Sequence, residues 1–385
     1  MILGTKIRII PTKEQESFFW QSAGVARWAY NFALRESQMW YQDTGETLSQ
    51  MDIRKFINNV LKPDTHSWLK QVGSNVMKQA VIDFGNARQR FFDGKADYPK
   101  LKKKYKSKPS FFVNHESLKR TKDGFRGEKI GFIKTSQPLP KLTKGQKYYK
   151  NPRITHDGRN WYLSIGLQRT FEEVELTDVS LGVDVGVKEL AVVSNNTFYK
   201  NINKTKRVKQ LEKRLKRKQR QVARMLGNNT KGYTNNRKPI YIQPLKDLKN
   251  FQKKKHEISL LHKKLTDIRQ NHLHQATSEI VKTKPSRIVM ETLNIKGMMK
   301  NKHLSKAIAA QKLFEFQRQI TYKAQKFGIE VIKADKWFPS SKICSECGHK
   351  KVDLKLKDRT YYCIACHFKI DRDLNAALNL ANYSI

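Results

Sequence analysis

The feature that most constrains the fold is a pair of Cys-x-x-Cys motifs near the C-terminus. Cys344 and Cys347 form the first motif, Cys363 and Cys366 form the second, and the chain has four cysteines in total. Four thiolates at this spacing can surround one Zn²⁺ tetrahedrally, and four protein ligands leave no open position for catalysis. The sequence therefore predicts a structural four-cysteine zinc ribbon at residues 341–366. Two disulfides are the weaker alternative, because nothing else in the chain indicates secretion.

Charge gives the second constraint. The chain carries 77 Lys and Arg against 34 Asp and Glu, which is a formal net charge of +43. A surplus of this size repels itself in a compact fold unless a polyanion neutralises it, and solubility requires far less charge. The composition therefore predicts a nucleic-acid partner and strongly salt-dependent binding. A membrane surface is the weaker alternative, since no apolar run approaches the roughly 20 residues that span a bilayer.

Length and cysteine usage indicate the number of lobes and the cellular compartment. A chain of 385 residues is too long for a single compact core, so two or three lobes are expected. The sequence opens without a signal peptide, and cysteines that are all assigned to zinc fit a reducing compartment. We therefore expect a cytoplasmic protein that has no membrane partner.

The N-terminal half combines short strands with a block of helices. Residues 5–10 alternate as a strand, and Thr12 with Gln15 predicts a capping box that opens a helix. Apolar residues at helical spacing follow, and they indicate core faces more than base-stacking platforms. Short strands with turn signals between residues 111 and 167 predict a small β-barrel or sandwich, of which we favour the barrel. The predicted domains are a barrel of residues 1–10 and 96–175, and an inserted helical bundle of residues 11–95.

A lysine-rich run follows the predicted helices. Residues 98–109 contain six lysines interleaved with two tyrosines. This charge density beside strand signals favours an edge that contacts phosphates over a merely solvated loop. The candidate contacts to a nucleic-acid backbone in this run are Lys102, Lys103 and Lys104.

Two apolar runs in the C-terminal half end in an acid. One run ends at Asp184 and the other at Glu291. A carboxylate inside a buried strand is costly unless it is paired, hydrogen-bonded or bound to a metal. For Asp184 alone, a structural role and a metal-binding role are equally supported, and Gly186 would allow backbone or a metal to approach closely. Asp371 and Asp373 add a third acidic position at the start of a predicted helix.

A long basic segment lies between these runs. Residues from about 202 to 283 predict a hairpin of two helices with a flexible tip near residues 227–232. Apolar side chains hold one helical face, and lysines and arginines cover the others. Such one-sided charge favours a nucleic-acid surface over a coiled-coil partner surface. The candidate contacts to a nucleic-acid backbone here are Lys213, Arg214, Arg217 and Arg220.

The three acidic positions predict a shared chemistry. Carboxylates that are distant in sequence but close in space form the usual oxygen site for Mg²⁺, and they repel one another unless cations lie between them. Two Mg²⁺ ions about 4 Å apart can activate a water and stabilise the leaving oxygen of a phosphodiester. In a chain this basic, the order strand–Asp, strand–Glu, Asp–helix predicts a nuclease or a phosphoryl-transfer transposase.

The motifs around these acids resemble those of the TnpB family across essentially the whole chain. The resemblance includes the opening strand, the Arg27-Trp-Ala-Tyr-Asn31 helix and the Tyr-Pro-x-Leu-Lys-Lys-Lys run. The segments that carry it most specifically are Gly182-Val-Asp-Val-Gly-Val-Lys-Glu-Leu190, Ile288-Val-Met-Glu-Thr-Leu-Asn-Ile-Lys-Gly297, Phe338-Pro-Ser-Ser-Lys-Ile-Cys-Ser-Glu-Cys-Gly348 and Asp371-Arg-Asp-Leu-Asn-Ala-Ala377.

The resemblance implies a multidomain α/β protein with an RNase H-like (RuvC) nuclease core. That core would comprise residues 176–340 and 367–385, with the zinc ribbon as a target-nucleic-acid-binding insert. The barrel would be the wedge domain and the helical bundle the recognition domain. The implied activity is that of an insertion sequence's DNA endonuclease, guided by an RNA from the transposon end. It would recognise a short motif beside double-stranded target DNA, most simply as a monomer with one RNA.

The resemblance also assigns the acids. Asp184, Glu291 and Asp373 would be the catalytic residues that bind two Mg²⁺ or Mn²⁺ ions, and one structural Zn²⁺ would occupy the cysteines. Asp371 is left as either a further ligand or a helix cap. Two positions depart from the usual family pattern: His367 stands where glycine is common, and Thr292 stands where another acid is common.

Two other functions remain open at this stage. A guide-dependent DNA-binding repressor would use the same scaffold without cutting, although the presence of all three acids argues against it. A transposase that joins strands would use the same metal chemistry, and only its products would distinguish it from an endonuclease.

Overall fold

The structure is a computed structural model that describes residues 2–104, 106–168, 174–355 and 358–384. It divides into two compact units, Met1–Thr170 and Phe171–Ile385. Each unit has its own hydrophobic core, and each is described separately below.

The N-terminal unit consists of one antiparallel sheet and a helical block that lies between its first two strands in sequence. The helices are α1 (Lys13–Thr44), α2 (Gln50–Phe56) and α3 (Ser74–Phe92). The strands are β1 (Ile2–Ile10), β2 (Ser110–Phe112), β3 (Lys119–Arg120), β4 (Gly124–Gly127), β5 (Gly131–Thr135), β6 (Lys150–His156) and β7 (Trp161–Gln168).

Local sequence signals explain where α1 begins and ends. The Thr12 hydroxyl accepts a hydrogen bond from the Gln15 backbone at 3.3 Å, and the Gln15 side chain accepts one from the Thr12 backbone at 3.1 Å. The predicted capping box is therefore confirmed. The helix ends at Gly45, whose φ of 71° is the left-handed conformation that favours glycine. The apolar residues at helical spacing in this block belong mainly to the core, in which Phe19 and Phe84 are fully buried.

The predicted closed barrel is wrong. The seven strands form a sheet in the order β2-β6-β7-β1-β5-β4-β3, and among the described residues its end strands β2 and β3 do not pair with each other. Strand β1 joins two parts of this sheet, because residues 2–8 pair with β7 whereas Ile9 and Ile10 pair with β5. Alternation along the strands predicts one buried face, but it does not determine whether the edges meet.

The C-terminal unit is built on a five-stranded sheet. Its strands are β8 (Thr177–Val185), β9 (Glu189–Val193), β10 (Thr197–Lys200), β13 (Pro285–Glu291) and β14 (Glu330–Ala334). The order is β10-β9-β8-β13-β14, with β8, β9 and β10 antiparallel and β8, β13 and β14 parallel. The other strands are β11 (Thr230–Tyr233), β12 (Pro239–Tyr241), β15 (Thr360–Tyr362) and β16 (Lys369–Asp371).

Helices fill the connections of this unit. They are α4 (Lys206–Asn228), α5 (Lys249–Lys282), α6 (Ile295–Met298), α7 (Ser305–Gln311), α8 (Leu313–Lys326) and α9 (Arg372–Ala381). The sequence predicts one helix from about residue 304 to 327, but the structure breaks it at Lys312, whose φ is 55°. The break lets the Gln311 amide reach the backbone carbonyls of Gly186 and Glu189, at 3.1 and 3.3 Å.

The basic hairpin of α4 and α5 is held by a narrow apolar seam. Val208, Leu211 and Leu215 of α4 pack against Leu261 and Leu265 of α5, which leaves the lysines and arginines on the outer faces. The tip differs from the flexible loop that the glycines predict. It is a β-hairpin in which β11 pairs with β12.

Among the described residues, none of the helices is long and apolar enough to cross a membrane.

Candidate active site and metal centre

Parallel pairing of β8 with β13 brings the first two predicted acids side by side. Val183 of β8 pairs with Met290 of β13, so Asp184 and Glu291 are the next residues along each strand. Val183 and Met290 are fully buried, which fixes this register. The two carboxylates therefore lie at the same end of the sheet, although they are far apart in the sequence.

The third acid, Asp373, lies on α9, which packs directly against β8. A Cβ atom built on Gly182 would lie 1.9 Å from the carbonyl oxygen of Ala377 and 2.4 Å from the nitrogen of Ala381. Only glycine allows this contact between backbones. The sequence predicts that backbone or a metal approaches Gly186 closely. In the structure, a Cβ atom built on Gly186 would have no neighbour nearer than 3.6 Å. Gly182 is thus the residue that lets α9 place its first turn near Asp184.

Asp371 is the N-cap of α9. Its Oδ1 accepts hydrogen bonds from the backbone N–H groups of Asp373 and Leu374, at 2.9 and 3.2 Å. Its Oδ2 lies 3.8 Å from the Lys188 ammonium. The structure therefore gives Asp371 a capping role, and this cap orients the helical turn that carries Asp373.

The charges of the other two acids act on Asp184. Burial raises the pKa of Asp184 well above its usual value, and the charges of Glu291 and Asp373 raise it further, whereas Arg372 acts in the opposite direction. Some of the Asp184 side chain remains accessible. A carboxylate that is disfavoured as an anion by both desolvation and like charges is a good position for a cation.

Hydrogen bonds hold the other two acids. The Ser340 hydroxyl donates to Glu291 Oε1, and the Gln317 amide donates to the Glu291 backbone carbonyl at 3.0 Å. Arg372 donates to Asp373 Oδ1 at 2.9 Å, and Arg359 lies 4.0 Å from Asp373 Oδ2.

Sequence reasoning missed these partners as functional residues. Ser340 lies inside the Phe-Pro-Ser-Ser segment and Arg372 inside Asp-Arg-Asp, so both motifs contained a signal. Thr292, which replaces an acid common in the family, donates a hydrogen bond to the Ala334 carbonyl at 2.7 Å and so ties β13 to β14.

The four cysteines form the tightest group of metal-binding side chains in the described part of the chain. All four sulfur atoms lie within 4.8 Å of one another, and among the described residues no other group of three or more ligand side chains is as close. The sulfurs of Cys344 and Cys366 are 3.7 Å apart and those of Cys347 and Cys363 are 3.5 Å apart. Two sulfurs on a tetrahedral Zn²⁺ at about 2.3 Å would be about 3.8 Å apart. The cysteines are unbridged, which rules out the disulfide alternative.

Backbone N–H groups favour the thiolate at Cys363, whereas hydrogen bonds from neighbouring cysteines raise the pKa of Cys347 and Cys366 while no cation is present. Desolvation would raise the pKa of the Cys363 thiol, but backbone N–H groups of Cys366 and Ala365 stabilise the thiolate and lower its pKa to about 6. A thiolate is the form that binds metal. The donor set and its spacing therefore fit Zn²⁺.

Both cysteine motifs end in a residue with positive φ. Gly348 follows the first motif with a φ of 74°, and His367 follows the second with a φ of 61°. Each donates its backbone N–H to the carbonyl of the first cysteine of its motif, Cys344 or Cys363, at 3.0 Å. The turn is thus preserved at His367 despite the missing glycine, and the Tyr362 hydroxyl lies 2.8 Å from a His367 ring nitrogen.

Two asparagines of α9 connect the cysteine segment to the acidic site. The Asn375 side chain accepts from the Ser345 backbone at 3.0 Å and donates to the Ile343 carbonyl at 2.6 Å. Asn379 donates to the carbonyls of Ser340 and Ile343, each at 2.7 Å. The helix that carries Asp373 therefore also holds the first cysteine motif.

The candidate backbone-contacting residues differ in their placement. Lys103 and Lys104 are exposed, whereas Lys102 is half-buried with its ammonium 3.6 Å from the Tyr30 ring centroid. Burial lowers the pKa of Lys102, and the Asn31 side chain holds its backbone through bonds of 2.8 and 2.9 Å. On α4 the exposed candidates are Lys213, Arg214, Arg217 and Arg220.

Comparison with known families matches most of the chain in three pieces. Residues 162–302 match the family described as "Probable transposase" (OrfB of IS605), and residues 314–380 match "Cas12f1-like, TNB domain". Residues 1–46 match a "Helix-turn-helix domain" family of the same OrfB group, although the structure of that stretch is β1 followed by the single helix α1. The match over residues 314–380 contains the four cysteines and nearly all of α9.

Curated relatives span nearly the whole chain. A protein of Streptomyces pristinaespiralis named "Putative RNA-guided DNA endonuclease" is 27% identical over 383 residues, which is 97% of this chain and 87% of that protein. InsQ of Escherichia coli (strain K12), with the same descriptive name, is 24% identical over 97% of this chain and 90% of its own length. The chain resembles the TnpB family over nearly its whole length. The cysteines and acids of this chain thus lie in a sequence that aligns with its relatives over 97% of its residues.

A solved structure shows the same fold. The chain of the "Cryo-EM structure of the Cas12f1-sgRNA-target DNA complex" superposes with a TM-score of 0.55, at 14% sequence identity and over 99% of both chains. At this identity the likeness shows a shared mixed α/β architecture.

Proposed function

We propose that this protein is an RNA-guided DNA endonuclease of an insertion sequence. It would bind a guide RNA from the transposon end, recognise a short motif beside the target and hydrolyse DNA phosphodiesters. The observation that carries this proposal is the meeting of Asp184, Glu291 and Asp373 at one edge of the C-terminal sheet, in a chain with a net charge of +43. The names of the end-to-end relatives support it.

The sheet is proposed to be a RuvC-like, RNase H-type nuclease core. Three antiparallel strands followed by two parallel strands, with an acid on the first strand and another on the fourth, support this assignment. The third acid lies on α9, which packs against the first of these strands at Gly182. In this core, Asp184, Glu291 and Asp373 are the residues that act on the scissile phosphate.

Two divalent cations bound by these carboxylates, Mg²⁺ or Mn²⁺, would activate a water and stabilise the leaving oxygen. The protein's own groups prepare the site for this chemistry. Ser340 orients Glu291, and the Asp371 cap orients the first turn of α9. Arg372 and Arg359 screen Asp373 where the acids repel one another.

The four-cysteine group is proposed to bind one structural Zn²⁺. Residues 341–366 would then be a small ribbon that contacts target nucleic acid, while residues 367–385 return to the nuclease core. The asparagine bonds from α9 support a ribbon whose orientation is fixed relative to the acids.

The nucleic acids are proposed to contact three parts of the chain. The sheet of residues 1–10 and 96–175 would act as a wedge domain and residues 11–95 as a recognition domain. The exposed cations of the α4–α5 hairpin would line the channel for the guide–target duplex. One protein chain per RNA is the simplest stoichiometry.

The proposal is tested by expressing the protein with its flanking DNA and sequencing the RNA that co-purifies. The complex, with its guide reprogrammed, is then challenged in Mg²⁺ with plasmids randomised beside the target. Cutting that requires guide match, a flanking motif and Asp184 is the expected result. A bound RNA without cutting would favour the repressor function, and ligated products without guide dependence would favour strand transfer.

A further inference from the structure

Trp337 is an exposed ring beside the acidic site. Of the large hydrophobic side chains that the structure describes, it is the most exposed, at 79%. It lies between β14 and the first cysteine motif. An indole in water leaves a large apolar surface unburied, so a ring held in this position is suited to a partner with a flat apolar face.

The segment that carries the ring is fixed at several points. The Trp337 backbone N–H donates to Asp335 Oδ1 at 2.7 Å, and the Asp335 N–H donates to the Tyr383 hydroxyl at 3.2 Å. The Phe338 N–H donates to the Asp335 carbonyl at 3.1 Å, and its ring meets the Tyr383 ring edge-on with centroids 4.9 Å apart. Phe338 thus anchors the turn, and the neighbouring Trp337 is held outward by an ordered backbone.

The same segment reaches the catalytic carboxylates. Ser340 is buried, its hydroxyl donates to Glu291, and its carbonyl accepts from Asn379. Ser340 is the third residue after Trp337, so their Cα atoms are at most about 11 Å apart. Stacked nucleotides rise about 3.4 Å each, so this backbone separation corresponds to roughly three nucleotides.

Charge beside the ring favours nucleic acid as its partner. The Lys336 ammonium lies 4.7 Å from the Trp337 ring centroid, so a cation that can pair with a phosphate accompanies the aromatic face. Aromatic platforms flanked by cations are the usual means of holding single-stranded nucleic acid, because every base offers a π-face. A base inside a duplex has both faces covered by its neighbours and cannot use such a platform.

We propose that Trp337 stacks on an unpaired nucleobase of the strand being cut, adjacent to the scissile phosphate. This inference rests on the proposed endonuclease function and deepens it, because it names a residue that would hold the strand at the acids. Trp337 is a positioning residue: it sets which phosphate lies at Asp184 and Glu291, and it does not touch the reacting atoms.

The test uses the guide-loaded complex and DNA with 2-aminopurine at the nucleotides that flank the cut. Trp337→Ala and Trp337→Leu are expected to lower kcat/KM about tenfold, which is the size expected for one lost base–aromatic stack. They also spread the cut over neighbouring positions and abolish the quenching of 2-aminopurine. Trp337→Phe keeps a ring and restores most of all three readouts. Phe314→Ala, at an exposed ring on α8 (67%), is the matched control and changes none of them.

Unchanged cut positions and unchanged quenching in Trp337→Ala would overturn the inference. So would a wild-type dimer that Trp337→Ala dissociates without altering cleavage, because the ring would then serve a second copy of the chain. The fluorescence readout separates this inference from the proposed function. If the wild type quenches single-stranded DNA through Trp337 but never cuts, the inference stands and the endonuclease proposal fails.

Discussion

At the scale of single residues, the acidic site is an arrangement that is unfavourable without a cation. Burial and the nearby charges of Glu291 and Asp373 raise the pKa of Asp184, so ionising it in the folded protein costs free energy. Ser340 and Arg372 offset part of the repulsion at the other two acids. A site of this kind gains most from binding divalent metal, because the metal removes a cost that folding has already incurred.

This cost predicts the sign of a stability change. The folded-state pKa of Asp184 lies above its unfolded value of about 3.9, so the metal-free protein loses stability as pH rises from about 4 through the folded pKa. Asp184→Asn removes that loss, and at pH 7 without metal it should raise the midpoint of thermal unfolding. Mg²⁺ should then stabilise the wild type but have little effect on the variant.

Thermal melts with EDTA and with Mg²⁺ measure both effects. Asp178→Asn is the matched control, because Asp178 is an exposed acid on the same strand, β8. A wild type that melts at the same temperature with and without Mg²⁺ would argue against a metal site at Asp184.

The residues of this site differ in how far sequence alone could identify them. Asp184 and Glu291 could be singled out because an acid that ends an apolar run is rare and costly. Only the family resemblance favoured Asp373 over Asp371, since a cap and a ligand have the same side chain and the capping bonds of Asp371 depend on backbone geometry. The role of Ser340 depends on a contact across 49 residues, which no local pattern encodes.

At the scale of elements, the position of α9 decides whether the three acids meet. The helix contacts β8 through Gly182, and its asparagines hold the first cysteine motif. Sequence periodicity predicts that such a helix exists, but the backbone-to-backbone contact at Gly182 depends on three-dimensional packing. The open sheet of the N-terminal unit and the break at Lys312 escaped prediction for the same reason.

A methyl group at Gly182 should therefore separate α9 from the sheet. Gly182→Ala would place its Cβ atom 1.9 Å from a backbone oxygen that cannot rotate away, and we expect a destabilisation of about 1–3 kcal/mol. Gly227→Ala is the control, because nothing lies within 4 Å of a Cβ atom at that position in α4. It should be neutral or add about 0.5–1 kcal/mol. Urea unfolding measures the free energy of unfolding of both variants. An equal loss of stability in Gly182→Ala and Gly227→Ala would contradict the packing argument.

The cysteine group predicts a second change at this scale. Cys363→Ser removes one of four sulfurs that lie within 4.8 Å of one another, so it should lower bound zinc from about one ion per chain towards zero and reduce solubility. Ser345→Ala, between the first two cysteines, should keep its zinc, because its backbone N–H still donates to Asn375. Elemental analysis measures the zinc content of both variants. A wild-type protein free of zinc would refute the assignment of the four cysteines to a zinc site.

At the scale of the whole molecule, charge makes binding depend on polyanions and on salt. The net charge of +43 is far larger than folding requires, and the exposed cations of α4 lie on a helix that is held by its apolar seam with α5. Each phosphate that a cation neutralises contributes about 0.9 on duplex DNA, and about 0.7 on a single strand such as a guide RNA, to the magnitude of the slope of log affinity against log salt.

Replacing Lys213, Arg214, Arg217 and Arg220 by glutamine should weaken RNA binding and reduce that salt slope by about 3. The control removes the same charge elsewhere in the C-terminal unit, through glutamine at the exposed Lys300, Lys302, Lys306 and Lys333. Filter binding over a range of salt concentrations compares the two variants. If both slopes fall equally, net charge and not the α4 surface determines binding.

The measurement that tests the central claim most directly is retargeting. Two plasmids carry different target sequences beside the same flanking motif, and the protein is loaded with a guide RNA that matches one or the other in Mg²⁺. We predict that cutting follows the guide from one plasmid to the other and disappears in both with Asp184→Asn. Cutting that ignores the guide, or that survives the loss of Asp184, would contradict the account.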